Sequence, residues 1–222
     1  MPAILRYAVA VDDLLRRRQA LLDELRSYGR VIVAFSGGVD STFLAAMAHE
    51  ALAGAATAVT GLSPSVAPAE REEAAALARR IGIRHEWVET AEMENPAYVA
   101  NAPDRGFHCK NELYAILGAL ARRAGGAVVV DGTNADDAND VRPGRRAGEL
   151  HGVRSPLLDL GFTKDTIREL SRRMGLPTWD KPAMACLASR IPHGTPVTVE
   201  ALDQVAAAEA LLRPEPSSLR FR

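Results

Sequence analysis

The stretch Val31-Ile32-Val33-Ala34-Phe35-Ser36-Gly37-Gly38-Val39-Asp40-Ser41-Thr42 decides the fold. An apolar run of strand length feeds a Ser-Gly-Gly turn. The turn opens onto a helix with Asp40 and two hydroxyls in its first turn. Glycines let a backbone approach a ligand closely, and a helix N-terminus offers unpaired N–H groups at the positive end of its dipole. The turn is therefore built to hold phosphate. It lacks the lysine of the GxxxxGK[ST] loop, which argues against kinase and GTPase chemistry.

Working outward, Val11, Leu14, Leu15, Leu22 and Leu25 recur at helical spacing, so an amphipathic helix is expected over 11–27, stopped at Gly29. Strand 31–35 is followed by helix 40–53, strand 56–62, helix 69–81, strand 83–88, helix 107–123 and strand 127–130. This alternation predicts an α/β fold with a doubly wound parallel sheet covered on both faces. In such sheets ligands bind at the carboxyl ends of strands. The Ser36 turn and the turn Asp131-Gly132-Thr133-Asn134 both fall there. Trp87 reads as a core residue at a strand end. Beyond Val141 the pattern loosens. Segments 142–146 and 154–157 read as loop, and 163–174 reads as a helix ended by Gly175 and Pro177. Segment 177–197 is irregular, broken by Pro177, Pro182, Pro192 and Pro196. Segment 198–213 reads as helix, and 219–222 alternates like a strand. Residues 1–154 are expected to form the nucleotide domain and 155–222 a smaller C-terminal part.

The chain has 222 residues, enough for one sizeable core with a small appendage, and 47% of them are hydrophobic. Net charge is −1, so no whole-protein field draws the chain to nucleic acid or to an anionic membrane. No apolar run reaches the roughly 18 residues of a membrane helix, and the N-terminus lacks the pattern of a signal or transit peptide. A cytoplasmic location is expected. The two cysteines, Cys109 and Cys186, lie far apart, and a structural disulfide is not expected there. His108 and His193 have no metal-ligand spacing.

The Ser36–Ser41 run resembles the PP-loop of the ATP pyrophosphatases, which cleave ATP to AMP and pyrophosphate. The segment Pro177-Thr178-Trp179-Asp180-Lys181-Pro182-Ala183-Met184-Ala185-Cys186-Leu187-Ala188-Ser189-Arg190 carries a finer resemblance. With Gly132-Thr133-Asn134-Ala135-Asp136-Asp137, Arg142-Pro143-Gly144 and Arg154-Ser155-Pro156-Leu157, it is similar to the LarE family, the sacrificial sulfur transferases of nickel-pincer nucleotide cofactor synthesis. The resemblance runs from about residue 11 to the end.

That resemblance implies the fold of the adenine-nucleotide alpha-hydrolases and a defined chemistry. ATP adenylylates a carboxylate of pyridinium-3,5-biscarboxylic acid mononucleotide, with Mg²⁺ neutralising phosphate charge. A cysteine thiolate displaces AMP, the protein-side C–S bond breaks, and dehydroalanine remains. Carried onto this sequence, ATP contacts fall at Ala34, Ser36, Gly37, Gly38, Asp40, Ser41, Gly132, Thr133 and Asn134. Mg²⁺ falls to Asp40 and Asp136, and catalysis to Cys186 and Asp40. Substrate contacts fall to Arg142, Ser189, Arg190, Arg220 and Arg222. A reactive thiolate needs nearby positive charge, for which Arg190 and Lys181 are the candidates. Glu209 is expected to be an ordinary solvent-facing helix residue. The resemblance also implies a homo-oligomer, with a hexamer as the expected size. Its partner is a small nucleotide, not nucleic acid or a membrane.

Two departures bear on this. Many relatives carry Cys-x-x-Cys before helix 107–123, which with a third cysteine can hold an iron–sulfur cluster. Here Gly106 stands at the first position and Cys109 at the second. Two cysteines cannot supply three ligands, so no iron–sulfur cluster is expected, the sacrificial route is favoured, and Cys109 reads as a relic or packing residue. Relatives also continue past the Arg-x-Arg strand that ends here at Arg222, so a shortened C-terminal region and reduced activity are expected. Two other readings stand beside this one. Another PP-loop ATP pyrophosphatase, an ammonia-dependent synthetase or a tRNA thiolase, fits the phosphate loop. A non-catalytic nucleotide-binding protein fits the short C-terminus.

Overall fold

The computed structural model describes residues 3–139 and 143–212. The strand expected over 219–222, with Arg220 and Arg222, lies outside the described residues, as does Arg142. Four strands, β1 (Val31–Ala34), β2 (Ala56–Leu62), β3 (Arg84–Glu89) and β4 (Val128–Val130), form one all-parallel sheet in the order β3-β2-β1-β4. Val31 is level with Ala56 on one side and Val128 on the other. The chain steps outward from β1 to β3, then crosses back to place β4 on the opposite flank of β1. The direction of winding therefore reverses between β1 and β4, where such sheets open a crevice for ligand.

Alternation along the strands explains the two covering layers. Val31, Val33, Ala56, Ala58 and Val130 point into one core with α1 (Ala3–Ser27), α2 (Val39–Leu52) and α3 (Pro68–Ile81). Ile32, Val59 and Val129 point the other way, against Tyr114, Leu117 and Ala121 of α5 (Arg105–Arg123). Helices thus lie on both faces, as the strand–helix alternation predicts. The first core continues into the C-terminal region through Leu157, Phe162, Ile167, Leu170 and Leu176. These residues are carried by α7 (Pro156–Asp159), α8 (Lys164–Arg173) and the turns beside them. A third cluster joins Leu187, Ala188, Ile191, Val197 and Leu202 to Ala67 and Tyr98. It links the irregular 177–197 segment to α4 (Pro96–Val99) and α9 (Val199–Leu212).

Three expectations need correction. Residues Pro143–Leu150 form a helix, α6, and Pro156–Asp159 another, where the sequence read as loop. Pro143 and Pro156 sit in the first turns, where a missing N–H costs nothing. Ala147 of α6 is buried in the second core. Trp87 is not a core residue: it lies on edge strand β3, 38% exposed, its ring against His85.

The crevice depends on close backbone packing. Gly37 has φ +72°, which a side chain would strain. A Cβ on Gly132 would sit 2.9 Å from Ser41 N and 3.1 Å from Asp40 C, both backbone atoms that cannot yield cheaply. Gly132→Ala should cost about 1–3 kcal/mol of stability through overpacking. Urea unfolding should show a lower midpoint with an unchanged slope.

Candidate active site

β1 delivers Ala34 to its carboxyl end. Phe35 is pinned there by Val59 O, which accepts from its N–H at 2.9 Å, and by Thr60 Oγ1, which donates to its carbonyl at 2.7 Å. The chain then turns through Ser36, Gly37 and Gly38 into α2. Inside the turn, Ser36 N donates to Ser41 Oγ at 3.3 Å, and the two hydroxyls lie 3.1 Å apart. Gly38 at the N-cap has no side chain to cap the helix. The first-turn N–H groups of α2 are left to face a ligand.

The β4 turn closes the other wall. Asp131 is buried and accepts from Tyr114 Oη at 2.7 Å, Ser155 Oγ at 2.7 Å, Thr133 N at 3.1 Å and Thr133 Oγ1 at 3.0 Å. These bonds fix Gly132, Thr133 and Asn134 against α2. Asn134 Oδ1 accepts from Asp136 N at 3.0 Å. A cavity of about 390 Å³ lies beside this turn, between Thr133, Arg145 and Arg154. None of Ser36–Ser41 lines it, so it is separate from the phosphate loop.

Lys164, at the start of α8, joins the two acidic candidates. Its Nζ donates to Asp40 Oδ2, and its backbone N–H donates to Asp136 Oδ2 at 2.7 Å. Beyond a lysine in a helical first turn, nothing local in the sequence signals this contact.

The Cys186 segment reaches the same crevice. Lys181 Nζ donates to Gly37 O at 3.1 Å and pairs with Glu73 at 2.8 Å. Lys181 therefore belongs to the phosphate loop and is not the cation beside Cys186. Nor is Arg190, whose Nε pairs with Glu209 at 2.7 Å. Glu209 in turn is half-buried in that pair and is not an ordinary solvent-facing residue. Cys186 is exposed, and its Sγ lies 3.4 Å from Ser189 Oγ. Among the described residues the cation bonded to this group is Arg105, which donates to Ser189 Oγ at 3.2 Å and to Ala188 O at 2.7 Å.

Residues 10–172 match the asparagine synthase family. The chain is also 35% identical over 198 residues to the pyridinium-3,5-bisthiocarboxylic acid mononucleotide synthase of Lactiplantibacillus plantarum. That alignment takes in 89% of this chain and 72% of the relative. The chain belongs to the LarE family. Two uncharacterised relatives widen the picture. One from Synechocystis is 47% identical over 88% of this chain and 74% of its own length. One from Methanocaldococcus jannaschii is 25% identical over 92% of this chain and 77% of its own. As a LarE-family protein with a PP-loop, the chain is an ATP-utilising synthase.

Two polar atoms in the crevice beside the PP-loop have the chemistry to meet a nucleotide and its metal. Asp40 Oδ1 and Asn134 Nδ2 are both buried with no hydrogen-bond partner among the described residues. Buried polar atoms are seldom left so, and a hard cation takes carboxylate and phosphate oxygens together. Asp136 suits a metal less well, since one of its oxygens already caps α8. Among the described residues no group of three or more His, Cys, Asp and Glu side chains is placed to hold a metal by itself. No helix among them is long and apolar enough to cross a membrane.

Cys109 packs against the cluster that holds Leu187 and Ala188. Burial, then the charges of Glu92 and Cys186, push its thiol up to about 12. At neutral pH it is therefore protonated and a poor nucleophile. Iodoacetamide labelling followed by peptide mapping should modify Cys186 well before Cys109. The Cys109 rate should rise about tenfold for each pH unit through the alkaline range, because only the thiolate reacts. Asp40→Asn should lower pyrophosphate release from MgATP by about 100-fold, the scale of losing one preorganised charge contact. Folding should survive it, since the neutral amide still accepts from Lys164.

Proposed function

We propose that this protein is an ATP-dependent sulfur transferase that consumes its own Cys186. The observation that carries the reading is that one irregular segment supplies both an exposed thiol, Cys186, and, five residues earlier, Lys181 bound to the PP-loop carbonyl of Gly37. A nucleophile and a phosphate loop so tethered suit a reaction in which an adenylylated acid is made and then captured. The name of the Lactiplantibacillus relative supports pyridinium-3,5-biscarboxylic acid mononucleotide as the acid that is thiolated.

A carboxylate is a poor electrophile until its oxygen carries a good leaving group. In the first step a substrate carboxylate oxygen attacks the α-phosphorus of ATP, and pyrophosphate leaves. The free N–H groups of the α2 N-terminus, Lys164 and Lys181 are set to offset the charge on the phosphates. Asp40 would hold Mg²⁺, which would supply further charge neutralisation. In the second step the Cys186 thiolate attacks the acyl carbon and AMP leaves, giving a thioester. In the third a base removes the Cys186 Cα proton. The Cβ–Sγ bond breaks with its electron pair going to sulfur, so a thiocarboxylate departs and dehydroalanine stays in the chain. Ser189, beside the thiol, and Arg190, in the same turn, are the described candidates for binding the substrate's anionic groups. In this reading the partner is the small nucleotide, and the protein acts as a homo-oligomer in the cytoplasm.

Intact-protein mass spectrometry after incubation with MgATP and the bis-carboxylate mononucleotide tests the reading. The expected result is loss of one H₂S, mapped to residue 186, with one pyrophosphate released per thiol lost. Cys186→Ala should still release pyrophosphate but transfer no sulfur. Full sulfur transfer by that variant would overturn the proposal.

A further inference from the structure

We propose that Arg105 is the positioning residue that activates Cys186, acting through the hydroxyl of Ser189. The inference rests on the reading of Cys186 as the nucleophile and goes beyond it. Arg105 comes from the first turn of α5, whereas the thiol sits 81 positions later on the 177–197 segment.

A guanidinium has donors only, and a serine hydroxyl has one proton and two lone pairs. In the 3.2 Å contact with Arg105 Nη2, Ser189 Oγ must therefore accept. Its single proton is left to point elsewhere, and Cys186 Sγ lies 3.4 Å away. A thiolate is the better acceptor for that proton, so the arrangement favours the charged form. Arg105 is permanently charged and adds its field in the same sense.

The scaffold around Arg105 is built to keep it there. Its Nη1 donates to Ala188 O at 2.7 Å and also to Asn101 Oδ1. Asn101 is fully buried at φ +54°, a left-handed conformation that Asn adopts more readily than other side-chain-bearing residues. Its Nδ2 donates to Pro192 O and Thr195 O, each at 2.9 Å, and to Ile191 O at 3.3 Å. Its own carbonyl accepts from Gly194 N at 3.1 Å and from His193 Nδ1 at 3.2 Å. One side chain thus clamps the loop that follows Cys186 and aims Arg105 at its start. Leu187 N donates to Ser65 O at 3.0 Å, which fixes the residue next to the thiol from another direction.

Other ionisable groups lie around the thiol. Glu92, Tyr98 and Cys109 gather in the same cluster, and Glu92 Oε1 is buried without a hydrogen-bond partner among the described residues. Arg190 is paired with Glu209, and His193 faces Asn101 O. Arg105 is the guanidinium whose bonds run to the Cys186–Ser189 turn.

Alkylation of Cys186 by iodoacetamide in the full chain, read by mass mapping of the residue-186 peptide, tests this without ATP or any mononucleotide. Arg105→Met should react about tenfold more slowly near neutral pH, because the thiol loses the relayed hydrogen bond and the nearby positive charge that favour its reactive form. The deficit should vanish at high pH. Ser189→Ala should slow alkylation in the same direction but less, and Arg105→Lys should recover part of the rate. The Arg105→Met/Ser189→Ala pair should be no slower than Arg105→Met, because both break one relay. If Arg105 only braces the loop, its removal frees Cys186 and alkylation becomes faster or stays unchanged, which overturns the proposal. Should Arg105→Met fail to fold, Ser189→Ala decides, since it leaves every backbone contact of the loop in place. An unchanged rate and pH profile in that variant also overturns it. Slowed alkylation as expected, together with sulfur transfer that survives Cys186→Ala, would support this inference and sink the sulfur-transfer reading alone.

Discussion

At Gly132 there is no room for a side chain: the backbone of the β4 turn lies directly on the Asp40–Ser41 peptide, with a Cβ-to-Ser41 N distance of 2.9 Å. That approach draws the two walls of the crevice together. It exists because the sheet reverses its winding between β1 and β4, so the turns after both strands emerge side by side. Asp131 holds one wall rigid by accepting from Tyr114, Thr133 and Ser155. Tyr114 comes from the helix covering the opposite face of the sheet, so the site is anchored to both layers. Few alternative arrangements of these groups are compatible with such a packed and bonded frame.

Around that frame, two lysines and one arginine draw distant parts of the chain to the site. Lys164 brings the start of α8 to Asp40 and Asp136, Lys181 brings the irregular segment to Gly37, and Arg105 brings α5 to Ser189. Each is a long side chain that bonds a backbone or acidic partner far away in sequence. The chain has only three lysines, and two of them do this work.

The fold was readable because strand and helix periodicities are local. The expected strand 56–62 coincides with β2, and the expected helix 107–123 differs from α5 only at its start. The phosphate turn was readable because glycine and serine are demanded there by backbone geometry. The short helices α6 and α7 were missed because Pro143, Gly144, Gly148 and Pro156 look like breakers, whereas prolines suit a first turn and Gly144 lies against Lys110. Lys181 and Arg190 were misassigned for a different reason. Nearness in sequence to Cys186 says little about where a flexible side chain ends, and both found carboxylates elsewhere. Arg105 and Asn101 carry no local signal at all, since their meaning lies in bonds spanning more than 80 residues.

Cys186 stands in extended backbone, φ −59° and ψ 159°, immediately before a single short turn at Leu187–Arg190. It belongs to no strand ladder and to no α-helix. Under the proposed chemistry its Cα becomes flat when sulfur departs, and a flat Cα is ill suited to a helix interior. At this position the change disturbs no regular hydrogen-bonded array, and the sulfur that is lost fills no core. The spent chain should therefore keep its shape, with its phosphate loop intact. Such a product would go on competing for ATP, so a cell using it would have to clear a folded, nucleotide-binding remnant by proteolysis and replace it by fresh synthesis.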